Sequence, residues 1–401
     1  MEFKKYKIKD IGEVVTGFTP SKKEKDLYGF TFPFITPSDI TKSKYVNPKR
    51  FLSEKAISKK EKKVCSKSSV GVSCIGSDLG KAFFIQKISF TNQQINTITN
   101  IKKNFDPEYI YYKIKTLRNY FHRIADGSTM PIINKSKFEN LSLDIPSLKN
   151  QKKISNILSV LDNKIEINKK IIANLEEVSQ TLFKRWFVDF EFPDENGNPY
   201  KSSGGEMIDS ELGKIPKNWK VDEIGNYIKI KSGKRPKNKV DSKDSENVVP
   251  VIGASKIMGY TNDYIYNEKI IIIGRVGTHG VIQRFSTRTW ASDNTFVITS
   301  DFESIIYQLL KSIDYVSLNR GSTQPLLSQK DIKNTKVAMP TNETLLSTYQ
   351  KENNHVLKMM DQKNIENQKL TQLRDTLLPK LMSGEIEIPD DIEVNEDELS
   401  I

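Results

Sequence analysis

The side chains that most often carry chemistry are thinly spread in this sequence. Its three histidines, His122, His279 and His355, are far apart, and its two cysteines, Cys65 and Cys74, have no second pair to complete a zinc site. Pro193-Asp194 lacks the Glu-x-Lys partner at strand spacing that metal-dependent phosphodiester cleavage requires. No G-x-x-x-x-G-K-S/T phosphate loop occurs. A glycine-rich cofactor loop behind a strand is also missing. Asn198-Pro199-Tyr200 comes nearest to an Asn-Pro-Pro-Tyr tetrapeptide, but it lacks the second proline and stands in a turn-rich stretch. Catalysis is not expected of this chain. Binding is.

The abundant residue types suit an anionic partner. Lys+Arg 62 against Asp+Glu 50 give a formal net charge of +12 and a pI near 9.2. Residues 384–401 hold eight acids and no base, which leaves +20 on residues 1–383. Lys22, Lys23, Lys25, Lys42, Lys44, Lys49 and Arg50 gather in loop-like sequence with Tyr28 and Tyr45. Lys229, Lys231, Lys234, Arg235, Lys237 and Lys239 stand around Gly233. On a nucleic acid such cations sit mostly on phosphates, giving salt-dependent affinity and little sequence information; otherwise they are ordinary solvated lysines. Reading bases needs bidentate donors. The candidates are Asn92, Gln93, Gln94 and Asn96 in the first half, and Arg275, Arg284, Arg288 and Asn294 in the second. Two Gly-Ser-Thr loops contribute Ser128, Thr129, Ser322 and Thr323, with Arg320 and Gln324 flanking the second. A plain turn between domain and helix competes with that reading.

At 401 residues and 37% hydrophobic content, two or three domains with their own cores are expected. There is no secretory signal and no apolar run long enough for a membrane, so a cytoplasmic, reduced setting without a membrane partner is expected.

These candidates need elements to position them. Apolar bursts at 8–16, 32–36, 70–75, 82–88 and 95–101 are rich in β-branched and aromatic residues and predict strands. Residues 107–124 have helical spacing, and 126–131 form a loop. Strands resume at 221–231, 248–252, 269–274, 281–285 and 295–299, with a helix from 304 and a loop at 320–325. Between and after these blocks lie two long helical patterns. The first, 147–188, carries an apolar stripe through Ile154, Leu158, Leu161, Ile165, Ile172, Leu175, Leu182 and Trp186. At ~1.5 Å per residue it makes a rod of roughly 60 Å. The second, after Pro340, carries Tyr349, Val356, Met360, Leu370, Leu373, Leu377 and Leu381, with Pro379 expected to fray the last turn and Gly384 to stop it. Asn168 falls on the first seam, and Lys363 and Asn367 lie near the second. Residues 189–213 lose the periodicity and predict a linker.

The two halves repeat in order. Thr16-Gly17 and Pro20 answer Ser232-Gly233 and Pro236; Pro33-Phe34-Ile35 answers Pro250-Val251-Ile252; Ile75-Gly76 answers Ile273-Gly274. Gly127-Ser128-Thr129-x-Pro131 answers Gly321-Ser322-Thr323-x-Pro325, and Pro146 answers Pro340, both at an offset of 194. An internal duplication follows. The fold class is α/β: two similar mixed α/β domains, separated by two long helices that pair as an antiparallel intramolecular coiled coil with pseudo-two-fold symmetry.

Several segments resemble the specificity subunits of type I restriction–modification systems. Phe187-x-x-Phe190-x-Phe192-Pro193 followed by 197–207 (GNPYKSSGGEM) is similar to the family's central linker. Glu211-Leu212-Gly213-x-Ile215-Pro216-x-x-Trp219 resembles the start of its second recognition domain. Pro146-Ser147-Leu148-x-x-Gln151-x-x-Ile154 resembles the start of its first conserved helix, and 377–386 (LLPKLMSGEI) the end of the second. The likeness covers nearly the whole chain.

The resemblance implies recognition domains at 1–146 and 214–342, spacer helices at 147–188 and 343–383, a linker at 189–213 and an acidic tail at 384–401. It implies that each domain reads half of a split duplex DNA target. It also implies two modification (methyltransferase) subunits docked on the helices, and restriction subunits in a larger assembly. No cofactor is then bound by this chain; S-adenosylmethionine belongs to the modification partner, ATP and Mg to a restriction partner. The alternative is a scaffold that presents two α/β modules on a coiled-coil strut to other proteins, without DNA.

Overall fold

The computed structural model describes residues 1–127, 130–276, 280–318 and 326–389. It divides into two compact units, Met1–Lys169 with Ile365–Ile401, and Lys170–Asn364. The division falls inside both long helices, so each unit contains one α/β domain and a portion of each helix.

The first unit opens on an antiparallel strand pair, β1 (Lys4–Lys7) with β10 (Ser142–Ile145). An antiparallel sheet follows in the order β2 (Glu13–Thr16), β9 (Ile95–Thr99), β6 (Ser69–Ser73) and β7 (Ala82–Ile85). A smaller sheet joins β3 (Tyr28–Gly29), β5 (Arg50–Leu52), β4 (Phe32–Ile35) and β8 (Phe90–Thr91), with β4 and β8 parallel. Both faces of the main sheet are covered, because β7 sends Phe84 into one core and Phe83 and Ile85 into another. The Phe83 ring lies where a side chain on Gly71 would stand, 2.2 Å from an ideal Cβ.

Two predicted elements differ. Ile8–Ile11 is a helical turn, α1, which brings Ile8 and Ile11 to the same core. After α2 (Lys55–Lys59), the helix expected over 107–124 breaks at Leu117 into α3 (Pro107–Thr116) and α4 (Arg118–Ile124). Asp106 caps α3 by accepting from the Tyr109 amide, and Pro107 occupies the first turn, where its missing N–H costs nothing. Helix α5 (Lys135–Glu139) precedes β10.

The second unit repeats this plan. β13 (Trp219–Glu223) pairs β21 (Lys336–Pro340), and the main sheet runs β14 (Lys229–Ser232), β20 (Thr295–Thr299), β17 (Ile270–Gly274) and β18 (Ile282–Phe285). The small sheet is β16 (Ile257–Thr261), β15 (Val249–Ile252) and β19 (Trp290–Ala291). Registers match: Thr16 stands opposite Asn96 as Ser232 stands opposite Phe296, and Phe34 pairs Phe90 as Val251 pairs Trp290. One sequence correspondence shifts by three residues. Ser73, opposite Ile95, holds the place of Gly274, opposite Thr295, so Ile75 answers Val276. The hydrogen-bond ladder sets this register, and the recurring Ile-Gly dipeptide is coincidental. α7 (Glu303–Ser312) takes the place of α3, and α8 (Gln329–Lys333) that of α5.

The linker at 189–213 is ordered rather than loose. It holds β11 (Met207–Ser210), hairpinned to β12 (Gly213–Pro216), and Phe192 stacks on Tyr200 at 4.7 Å and on Trp219 at 5.5 Å. Its Asn and Gly residues serve turns: the Asp194 carboxylate accepts from the Asn196 and Asn198 amides.

The first long helix, α6, spans Leu148–Phe183 and ends in one π turn, Lys184–Val188, that buries Trp186 and Phe187. The second, α9, spans Glu343–Ser383 and continues through Pro379 without fraying. Pro379 is exposed, and its buried neighbours Leu378, Leu381 and Met382 hold the turn against the core. Gly384 stops the helix at φ +79°.

In the first unit the two helices run antiparallel, since Ile154 and Leu158 share a core with Leu378 and Leu381 while Asn168 Nδ2 donates to Asn367 Oδ1 at 3.0 Å. Leu161 and Ile165 are buried on the same stripe. In the second unit Trp186 packs on Tyr349 at 5.4 Å, and Ile172, Leu175 and Leu182 flank a core containing Leu346, Leu357 and Met360.

The predicted stripe of α9 needs correction. Leu373 is 48% exposed, whereas Arg374 at the adjacent position is buried. Leu357 and Leu378 are buried where Val356 and Leu377 only flank; Leu370 is half-buried and Leu381 is fully inside. Buried Asn353 and Arg374 occupy seam positions, so a pattern read from leucines alone drifts by one residue.

Candidate nucleic-acid interface

In each unit one strand leaves the main sheet through a glycine pressed against a neighbouring loop. The Gly17 amide donates to Ile95 O at 3.1 Å and the Phe18 amide to Thr91 O at 2.8 Å. The Gly233 amide donates to Thr295 O at 2.9 Å and the Lys234 amide to Ala291 O at 2.9 Å. A Cβ on Gly17 would lie 2.1 Å from Thr91 O, and one on Gly233 2.1 Å from Ser292 O, so no side chain fits at either place.

A third segment joins them. The Cys74 amide donates to Gln94 O and the Ile133 amide to Cys74 O; Arg275 repeats this with Asn294 O and the Leu327 amide. Bridges of Ile75 with Ile132 and of Val276 with Leu326 complete the match. Three loops therefore converge in each unit: 17–19, 92–94 and 130–133 in the first, 233–235, 292–294 and 326–327 in the second.

Here the structure gathers residues that are scattered in the sequence. In the first unit Asn92 Nδ2 donates to Thr19 Oγ1 at 2.8 Å, Thr19 Oγ1 donates to Gln93 Oε1, and the Gln94 amide donates to Asn92 Oδ1. Asn92 thus commits its amide to the loop itself, while Gln93 is exposed and retains its own amide N–H groups. Asn96 is buried, accepting from Thr16 Oγ1 and donating to Cys74 Sγ. In the second unit Lys231, Lys234, Arg235 and Asn294 are exposed. Trp290 Nε1 donates to Lys234 O at 2.7 Å, and Arg288 lies 4.8 Å from the Tyr264 ring centroid. Arg275 is half-buried over Phe296.

Thr19, Trp290, Tyr264 and Phe296 were not anticipated. Thr19 was within reach, since it follows Gly17 as Arg235 follows Gly233. Ser128, Thr129, Arg320, Ser322, Thr323 and Gln324 lie outside the described residues.

Lys22, Lys23 and Lys42 are exposed and free to meet an anion. Two other candidates do not belong on a surface. The Lys44 side chain is fully enclosed: Nζ pairs with Glu108 at 2.9 Å, donates to Ser159 Oγ at 3.0 Å and lies 5.2 Å from the Tyr112 ring. With Tyr45 OH donating to Asn163 Oδ1, it fastens the α/β domain to α6. Arg284 gives Nε to Glu303 and Nη1 and Nη2 to Asp361 at 2.7 and 2.9 Å, with its side chain 7% exposed. Both cations are consumed internally, because lysine and arginine in polar surroundings look alike in sequence whether they face solvent or a buried acid.

Burial pushes the Cys65 and Cys74 thiols up to about 11, which favours the protonated form at neutral pH. Among the described residues no group of three or more His, Cys, Asp or Glu side chains could hold a metal ion. No described helix is long and apolar enough to cross a membrane.

Two like α/β units with matching loop clusters define an internally duplicated protein. The model of the type I restriction modification DNA specificity domain matches residues 1–177 and 216–375, and the chain belongs to that family. It is similar to the MjaIX specificity subunit of Methanocaldococcus jannaschii, 30% identical with 95% of this chain and 93% of that protein covered. It is also similar to the HindI specificity subunit of Haemophilus influenzae, 24% identical with 88% and 94% covered. The crystal structure of the S subunit from M. genitalium matches the fold with a TM-score of 0.60 at 19% identity, covering 98% of this chain and 97% of that one. The chain is therefore a non-catalytic specificity subunit of a type I restriction–modification system.

Proposed function

We propose that the chain reads a bipartite duplex target, one unit per half-site, and directs adenine methylation and cleavage by partner subunits. The carrying observation is the convergence of three loops at the same place in both units, presenting Gln93 in one and Lys234, Arg235 and Asn294 in the other. Exposed amides and guanidinium groups on a rigid sheet end suit base edges, and Lys22, Lys23, Lys42 and Lys231 suit phosphates.

Two modification subunits dock along α6 and α9, and restriction subunits join the larger complex. S-adenosylmethionine, ATP and Mg act in those partners, where the target base is also extruded. The setting is cytoplasmic.

Co-expression with the cognate modification subunit tests this reading. Methylation at a split motif is expected, and exchanging residues 1–146 for those of a relative should change one half of the motif only. Absence of salt-steep DNA affinity in the purified complex would instead favour a protein-binding scaffold.

A further inference from the structure

At one position the two units can be compared directly. Cys74 and Arg275 make the same main-chain hydrogen bonds, to Gln94 and Ile133 in one unit and to Asn294 and Leu327 in the other. In the first unit the side chain is a buried thiol that accepts from Asn96 Nδ2 at 3.3 Å. In the second, Phe296 takes the place of Asn96, and the Arg275 guanidinium lies 5.8 Å from its ring centroid. Nε of Arg275 is enclosed without a hydrogen-bond partner. No carboxylate among the described residues pairs with it, whereas Arg284 and Arg374 are each held by two acids.

A guanidinium laid on an aromatic face has already given up much of its rotamer freedom, so engaging a ligand costs less entropy. Its fork is free, and it stands where three loops meet. The acceptor pair that fits such a fork on a duplex is O6 and N7 of guanine in the major groove. A phosphate offers a similar pair, but the loop tied to Arg275 carries exposed Asp293, which disfavours a phosphate there.

We infer that Arg275 reads a guanine in the half-site taken by the second unit, and that the first unit, with Cys74 at this place, reads its half-site without a guanidinium there. The inference rests on the DNA-recognition reading above.

The test uses the full chain in complex with its modification subunit, comparing wild type, R275A and R275Q by methylome sequencing and by affinity for duplexes at several salt concentrations. Both variants should relax one G·C pair in a single half-site, leave the other half-site unchanged and weaken cognate binding by about 10- to 100-fold. R275Q keeps the apolar stem that packs beside Phe296 and a shorter polar end, so it decides the matter if R275A folds poorly. An unchanged motif would overturn the assignment. So would a uniform loss across all duplexes with the salt slope reduced by about one, the mark of a phosphate contact. A wild-type complex without salt-steep DNA affinity would refute the DNA reading itself, a result separable from either of these.

Discussion

Arg374 on α9 donates from Nη1 to Asp162 Oδ1 on α6 at 2.6 Å, with the two side chains only 8% and 3% exposed. Tyr112 of α3 donates its hydroxyl to the other oxygen of Asp162 at 2.7 Å. One carboxylate therefore joins three elements of the first unit. A buried ion pair adds little net stability, because desolvation offsets its attraction, but removing one partner strands the other. R374L should destabilise the first unit by about 3–5 kcal/mol. D162L/R374L should recover most of that, less about 1–3 kcal/mol for the orphaned Tyr112 hydroxyl. Urea denaturation of the single and double variants would check this; a double variant no more stable than R374L would contradict it.

The loop glycines should tie local packing to recognition. A methyl group on Gly17 or Gly233 meets backbone oxygen, which cannot rotate away. G17A and G233A should each cost about 1–3 kcal/mol by overpacking and displace the adjoining loop. Each is expected to alter one half of the methylated motif and spare the other, as read by methylome sequencing.

Lys22 and Lys23 should behave differently from Lys44 although all three lie in one basic stretch. K22A/K23A should leave the thermal midpoint unchanged and flatten the dependence of log affinity on log salt by about one for each phosphate that is no longer neutralised. K44M removes the partner of Glu108 and a donor to Ser159, so it should cost about 1–3 kcal/mol. Its folded fraction should keep the wild-type salt slope.

Lys115 provides a pH test. Its Nζ is enclosed without a hydrogen-bond partner against the Tyr111 ring, facing Arg374, Lys44, Asp162 and Asp375. Burial, with Arg374 and Lys44 adding, lowers its pKa below the ordinary lysine value, and the two aspartates only partly oppose this. A lysine depressed in the folded state is a penalty that is fully present below its folded pKa and is relieved as pH rises through it towards the unfolded value. K115M should therefore stabilise the protein at pH 7 by about 1 kcal/mol, the low end for an unpaired buried donor. The advantage should shrink towards pH 10. Thermal melts of both proteins across that range would show it, and a constant advantage would assign the effect to packing.

Period and repetition determined a good deal of this protein by themselves. Strands with β-branched runs, two long helices, the stop of the second at Gly384 and the duplication of the halves all follow from local pattern, because burial on one face leaves a periodic trace. Correspondences such as Gly17 with Gly233 were legible for the same reason: only glycine tolerates that backbone approach. The tertiary structure alone decided which polar residues are engaged internally. Lys44, Arg284 and Arg374 carry the same sequence signal as solvated cations, and only the placement of Glu108, Asp361 and Asp162 from distant parts of the chain distinguishes them. It also decided that Asn92 braces a loop while its neighbour Gln93 faces outward, and that Arg275 lies on Phe296 with its fork free. Such choices depend on long-range juxtaposition, which leaves no periodic trace in sequence.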